Sequence, residues 1–253
     1  MAVHPVAASG FDSGAAAYER GRPSYPSSAV DLVVEELGIR PGVRVVDLGA
    51  GTGKWTRLLV ERGARVIAVE PVAGMRAELE AAVPEAEPID APAEAVPLPD
   101  GSADAVTAAQ AFHWFDAPVA LAECARLLRT GGGLAMVWNE RDESVPWVAE
   151  LNAIMRGPRG GVPAYEEHVD WTAVVAADGR FTPLQHRAVG SAHEVDEATL
   201  LDRVRSTSYI AALPEDRREG VVADVRELVA GFPERFKVPH RTDVFWCHRR
   251  STP

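Results

Sequence analysis

The sequence predicts an α/β fold built on a mostly parallel sheet with helices on both faces. Three observations carry that prediction. Short β-branched runs alternate with amphipathic helical stretches between about residues 27 and 140, the order that winds a parallel sheet covered on both sides. A glycine-rich turn, Gly49, Gly51 and Gly53, directly follows the first hydrophobic run and opens a helix, so that backbone approaches a ligand without a side chain in the way. The next run ends on an acid, Glu70, twenty-one residues beyond Gly49, where a carboxylate can accept bonds from two ribose hydroxyls.

Residues 1–26 predict a short helix near Ala15 to Tyr18, then an extended or turn segment, because the prolines of "YERGRPSYP" forbid a long helix. "SSAVDLVVEELGIRPG" reads as a helix capped by Ser27 or Ser28, with Val30, Val33, Val34 and Leu37 on one face and a stop at Gly38. "VRVVDLG" is a first strand, "TGKWTRLLVERG" a helix ended by Gly63, and "ARVIAVE" a second strand. "PVAGMRAELEAAVP" reads as a helix begun by Pro71 and stopped by Pro84. Then come "AEPIDAPAEAVPLPDGS" as a short strand and loop, a fourth strand in "ADAVTAAQAF", a helix in "DAPVALAECARLLRTGG" and a fifth strand in "GLAMVWNE". The alternation breaks near Arg141. Helical patches interrupted by Gly and Pro to about residue 180 predict an insertion or lid over the sheet's edge. "FTPLQHRAVGSAHEVD" and "KVPHRTDVFWCHR" predict two closing strands around two helices, about seven strands in all. The expected divisions are 1–26, a lid segment; 27–140, the ligand-binding core; 141–180, the insertion; and 181–253, completion of the sheet with acceptor-side helices.

Composition excludes several classes. The 253 residues are 47% hydrophobic and 25% charged, the balance of a globular chain with a sizeable core. No run approaches the roughly 18 to 20 apolar residues of a membrane span, and "MAVHPVAASGFDSG" lacks the features of a signal peptide, so the expected compartment is the cytoplasm, with no membrane partner. A net charge of -11 disfavours nucleic acid, because a polyphosphate is repelled at long range. Cys124 and Cys247 form no C-x-x-C pair, and Asp116 with Asn139 to Asp142 makes no convincing ligand set, so no metal is expected.

Three adenosine-bearing ligands compete for the glycine turn. A P-loop requires G-x4-G-K-[ST], but Leu48 stands five positions before Gly53 and Trp55 follows Lys54. A dinucleotide fingerprint requires a third glycine where the chain has Lys54, so the nicotinamide or flavin reading is weakened rather than removed. The chain presents D-x-G-x-G-x-G, with Asp47 two residues ahead of the first glycine.

The runs "VVDLGAGTGKWTRLL", "VEPVAGM", "AEAVPLPDGSADAVTAAQAFHWFD" and "RTGGGLAMVWN" resemble a class I S-adenosylmethionine-dependent methyltransferase, within it the small-molecule branch similar to trans-aconitate methyltransferases. The likeness spans about residues 11–140, and "RSTSY" and "RTDVFWCHR" extend it less diagnostically. The resemblance implies a Rossmann-like seven-stranded sheet with its last strand antiparallel. It implies that S-adenosylmethionine is bound, with Gly49, Ala50 and Gly51 along its methionine part, Glu70 on its ribose and Met75 near its adenine; Gly53, Pro71 and Gln110 belong to the same expected set. Many relatives carry Asp where this chain has Pro92, so the Ala93 backbone and Glu94 are left to meet the adenine amine. Tyr18 and Arg22 resemble the segment that folds over the donor, with Arg22 suited to the methionine carboxylate.

On the acceptor side, His113 in "QAFHWFD" is the candidate general base, just past the fourth strand where ligands of open parallel sheets collect. Trp114, Trp147, Arg205 and Tyr209 are candidate acceptor contacts, with Tyr165, His168 and Trp171 beside them. The "AQAF" run replaces the Asn/Asp-Pro-Pro-aromatic signature of amine and nucleobase methyltransferases. The expected activity is methyl transfer to a small organic acceptor through O, N or C. The alternatives are a carboxyl O-methyltransferase of the trans-aconitate kind, a donor-binding protein without catalysis, and a nicotinamide-dependent oxidoreductase.

Overall fold

The computed structural model describes residues 24–157, 171–211 and 213–251. Helix α1 (Ser27–Glu36) buries Ala29, Val30, Leu32 and Val33. It is entered from Pro26 with no side-chain cap, so neither Ser27 nor Ser28 plays the expected capping part. Strand β1 (Arg44–Leu48) buries its last four residues on both faces, as a central strand must. After it come α2 (Lys54–Val60), β2 (Arg65–Val69), α3 (Ala73–Ala82), β3 (Glu87–Ile89), β4 (Ala103–Ala109), a 3-10 turn at Phe112–Trp114 and α4 (Ala117–Leu127). The chain continues with β5 (Leu128–Arg141), α5 (Pro146–Arg156), α6 (Trp171–Ala177), β6 (Gln185–Val195), α7 (Glu197–Arg205), α8 (Ser208–Ala211), α9 (Glu215–Val229) and β7 (Phe236–His248).

The seven strands form one sheet in the order β3-β2-β1-β4-β5-β7-β6. Strand β1 pairs in parallel with both β2 and β4, so the winding reverses between β1 and β4 and opens a crevice at their carboxyl ends. Strand β7 runs antiparallel to both β5 and β6, the one reversal the resemblance implies.

Two expected boundaries move. Helix α3 begins at Ala73 and not at Pro71, because the Val72 amide is turned back onto the Glu70 carboxylate at 2.8 Å. The glycine run after α4 belongs to β5 and not to the helix end. A Cβ on Gly133 would lie 2.6 Å from Leu37 Cγ, and one on Gly132 2.8 Å from the Asp104 carbonyl, so these glycines let β5 pass close to α1 and β4.

Apolar side chains gather in three clusters. One face of the sheet, with Leu48, Val69 and Met136, packs under α4 and α6. The other, with Val45, Ala105 and Val137, packs under α1, α2 and α3. A third joins Leu151 of α5, Leu201 of α7 and Val222 of α9 to Val238 of β7. The stretch after Arg141 thus divides between two cores: α5 enters the third cluster, while Val175 of α6 enters the first. The Ala15 to Tyr18 helix, with Tyr18, Arg22, Tyr165 and His168, lies outside the described residues.

Candidate functional site

Three backbone turns at the carboxyl edge build the site. Gly49, Gly51 and Gly53 all have positive φ, +66°, +58° and +83°, conformations that a side chain strains. Their surroundings differ. A Cβ on Gly49 would lie 2.6 Å from Ala111 Cβ and 3.3 Å from Phe115 Cζ, so the segment after β4 closes onto the first glycine. A Cβ on Gly53 would press on Val83 and Leu79 at 3.0 and 3.1 Å, which makes that glycine a helix-packing residue. A Cβ on Gly51 meets nothing within 4 Å among the described residues, which leave open space at this turn.

Glu70, at the end of β2, is buried, and its carboxylate is held by two backbone amides, Gly51 N–H to Oε2 at 2.9 Å and Val72 N–H to Oε1 at 2.8 Å. Burial pushes its carboxyl above the usual range, against those two amides and the Arg76 charge. A carboxylate offers about four lone-pair sites, so each oxygen keeps acceptor capacity beyond its amide. Arg76 donates to the Glu70 carbonyl at 2.7 Å and to Asp90 at 2.9 Å, fixing the ends of β2 and β3 together. Asp47 beneath the turn serves the scaffold. Thr56 of α2 and Thr107 of β4 donate to its two oxygens at 2.6 and 2.9 Å, and burial pushes the carboxyl up to about 6.

Of the adenine-side residues, Met75 is buried on α3, Pro71 is half-buried and Ala93 is buried in the first core. Glu94 has a role that the sequence did not announce: it accepts the Asp116 N–H at 2.9 Å, placing a carboxylate at the N-terminus of α4, where helix charge favours it.

Past β4 the backbone twists. Gln110 has φ +56°, the one positive φ outside glycine among the described residues, and donates through its side chain to the Asn139 carbonyl at 2.7 Å. Asn139 also donates to the Ser24 carbonyl at 3.2 Å and accepts from Thr242 at 3.1 Å. His113 lies next, its ring 5.1 Å from that of Trp114. The Trp138 indole N–H donates to His113 Nδ1 at 3.3 Å. An indole nitrogen only donates, so the neutral imidazole carries its proton on Nε2 and its lone pair faces Trp138. Trp138 in turn stacks on Trp171, centroids 4.4 Å apart. The expected base therefore has its basic nitrogen engaged.

The remaining acceptor candidates stand elsewhere. Trp147 packs edge-on against Phe232 and Phe236 beside the third core. Arg205 pairs with Glu219 and Asp202 on the surface, and Tyr209 packs half-buried against the third core. The structure brings Gly49, Ala50, Gly51, Glu70 and Gln110 to one crevice, with His113 and Trp114 on its wall; it does not bring Trp147 or Arg205 there. Sequence reading missed Asn139, whose side chain is shared by partners far away in the chain.

A glycine turn and an amide-fixed acid at the reversal of a doubly wound sheet are the features with which α/β proteins of this class meet nucleosides. Comparison with known proteins narrows this class. Residues 46–136 match the family described as a methyltransferase domain. An uncharacterized methyltransferase of Mycobacterium tuberculosis is 43% identical over 223 residues, 88% of this chain and 86% of the relative. A solved structure from Anaeromyxobacter dehalogenans, assigned there as a type II methyltransferase, superposes with a TM-score of 0.66 at 24% identity, covering 90% of this chain and 97% of that one. Phosphoethanolamine N-methyltransferase 2 of Haemonchus contortus, solved in complex with S-adenosyl-L-methionine, superposes with a TM-score of 0.57 at 17% identity over 95% of this chain and 57% of that one. The chain belongs to this methyltransferase family.

Proposed function

We propose that this chain transfers a methyl group from S-adenosylmethionine to a small organic acceptor. One observation carries the reading: the Glu70 carboxylate, locked by the Gly51 and Val72 amides, faces the turn whose Gly51 leaves open space. Those features fit an adenosine. The free lone pairs of Glu70 accept the ribose hydroxyls, the bare Gly51 backbone admits the chain beyond the ribose, and Met75 and Ala93 offer apolar surface to the base. When bound, the sulfonium supplies an already activated methyl, so the protein's task is to hold the acceptor in line with it. Gln110, twisted into the crevice and braced on Asn139, lies on the path from donor to acceptor.

His113 enters this scheme in a changed role. With Nδ1 accepting from the Trp138 indole, it is held against β5 and does not act as the general base. That suits an acceptor that arrives with a free lone pair and needs no base. Calorimetric titration with S-adenosylhomocysteine tests the donor site. Wild type is expected to bind in the micromolar range, and Glu70→Gln to bind about tenfold more weakly, since each ribose hydrogen bond to a charged acceptor is worth about 1.5 to 3 kcal/mol. Equal affinity for the two proteins, or preferential binding of NAD, would overturn the reading.

A further inference from the structure

Away from the glycine turn, the outer half of the sheet carries a second polar group that the donor reading does not use. In the β6–β7 ladder Ser191 stands opposite His240 and His193 opposite Val238, so Ser191, His193 and His240 project from one face. The two imidazoles meet edge to face, centroids 4.8 Å apart. His240 is buried, with Nδ1 bonded to the Val238 carbonyl at 2.9 Å. The β5–β7 register sets Asn139 opposite Thr242, two residues along from His240. This face is therefore continuous with the Asn139 that braces Gln110. Helix α7 follows β6 at once, Asp196 capping it through the Thr199 N–H at 2.8 Å, and brings Arg203 to the same place.

Two polar atoms here are buried without a hydrogen-bond partner: Ser191 Oγ and Arg203 Nε. Among the described residues no carboxylate pairs with Arg203, whereas Arg205, two positions on, is paired twice. Burial pulls the Arg203 guanidinium down with nothing to offset it. Burial likewise pulls both imidazoles below their usual range, and the Arg203 charge adds to that effect in each. The Lys54 charge also reaches His193, so the group borders the exit of the glycine turn. In a chain of net charge -11, Arg203 is a half-buried guanidinium with no carboxylate partner among the described residues. Leaving a charged donor without a partner costs stability, a cost that a bound ligand accepting its hydrogen bonds would remove. A guanidinium matches a carboxylate in two parallel bonds, and a serine hydroxyl alongside supplies a third donor.

We infer that Arg203 and Ser191 bind a carboxylate of the molecule to be methylated, so that the acceptor is an organic anion anchored between α7 and the β6–β7 ribbon. The inference rests on the methyl-transfer reading and names its acceptor class. The bound carboxylate is an anchor: its lone pairs are tied to donors, and the methylated atom lies elsewhere on the same molecule, toward Gln110.

Calorimetry on the chain saturated with S-adenosylhomocysteine tests this, with succinate, trans-aconitate and benzoate as probes and their neutral amides as controls. At least one carboxylate is expected to bind and its amide to bind at least tenfold more weakly. Arg203→Gln is expected to weaken the carboxylate at least tenfold and Ser191→Ala about threefold, with the S-adenosylhomocysteine affinity of both within twofold of wild type. Arg203→Met guards against misfolding, because removing a half-buried charge that has no carboxylate partner among the described residues is expected to leave the melting temperature equal or higher. Arg203→Lys keeps the charge, loses the fork and is expected to fall between Gln and wild type. The inference is overturned if no probe binds, if amides bind as well as acids, or if Arg203→Gln leaves carboxylate affinity unchanged. It is overturned equally if Arg203→Gln loses S-adenosylhomocysteine instead, which would assign the guanidinium to the donor's own carboxylate. Carboxylate binding by a wild-type chain that fails to bind S-adenosylhomocysteine would uphold the anion pocket and sink the donor reading.

Discussion

Gly49 and Gly51 share a left-handed backbone but not a neighbourhood, and the difference separates folding from binding. Gly51→Ala strains the backbone by about 1 to 2 kcal/mol and meets no atom of the described residues, so it is expected to fold, melt a few degrees lower and lose at least tenfold in S-adenosylhomocysteine affinity. Gly49→Ala carries the same strain and drives its Cβ into Ala111, so it is expected to melt lower still. Paired thermal melts and titrations check this, and an equal loss of stability in the two variants would contradict it. The same scale shows what a sequence can disclose about a site. Glycines and an acid at fixed spacing are legible because backbone geometry alone demands them. Arg203 was not legible, because its meaning lies in the absence of a partner, which only the packed structure can show. The orientation of His113 was hidden likewise, since the Trp138 that fixes its tautomer lies on another strand.

Elements were legible where periodicity and glycine punctuation agree, and each of the seven strands overlaps an expected run, though β5 begins at Leu128, inside the run expected as a helix. They were misjudged where tertiary packing overrides local signals: the Gly131 to Gly133 run looks like a helix stop yet lies within β5. In the irregular stretch of residues 90–101, one side chain makes several of the ties. Arg126 of α4 donates to the carbonyls of Val96 and Leu98 at 2.9 and 2.6 Å and to Asp100 at 2.8 Å. Glu123 completes the tie, accepting from Arg126 at 2.7 Å and from the Val96 N–H at 2.7 Å. Arg126→Met is expected to cost about 2 to 3 kcal/mol by leaving Glu123 and two carbonyls without their donor. Chemical denaturation reads the cost, and faster hydrogen exchange in residues 90–101 reads its location; unchanged exchange there would count against this account.

Across the whole molecule, buried acids and buried imidazoles set opposing pH responses. Burial pushes Asp47 up to about 6, so the folded form holds that proton more tightly than the unfolded chain, and the stability it confers at acid pH is lost as pH rises from about 4 to about 6. Burial pushes His240 down to about 4, so its contribution is present above about pH 6.5 and lost as pH falls to about 4. Each effect amounts to about 3 kcal/mol, with opposite slopes over nearly the same window. Glu70 adds to the first direction and His193 to the second. Wild-type stability is therefore expected to be nearly level between about pH 4 and 6.5. Asp47→Asn should leave stability rising with pH, and His240→Gln should leave it falling. Urea midpoints at pH 4.5 and 6.5 decide, and slopes of the same sign in both variants would refute the balance.

Asn139 has a consequence for the order in which the molecule is finished. Its amide nitrogen holds the Ser24 carbonyl, and its amide oxygen is aimed by Thr242 of β7. During synthesis, Ser24 leaves the ribosome more than two hundred positions before Thr242. The bond at its carbonyl is oriented only once β7 lies between β5 and β6. The entry to α1 is fastened by the last strand of the sheet.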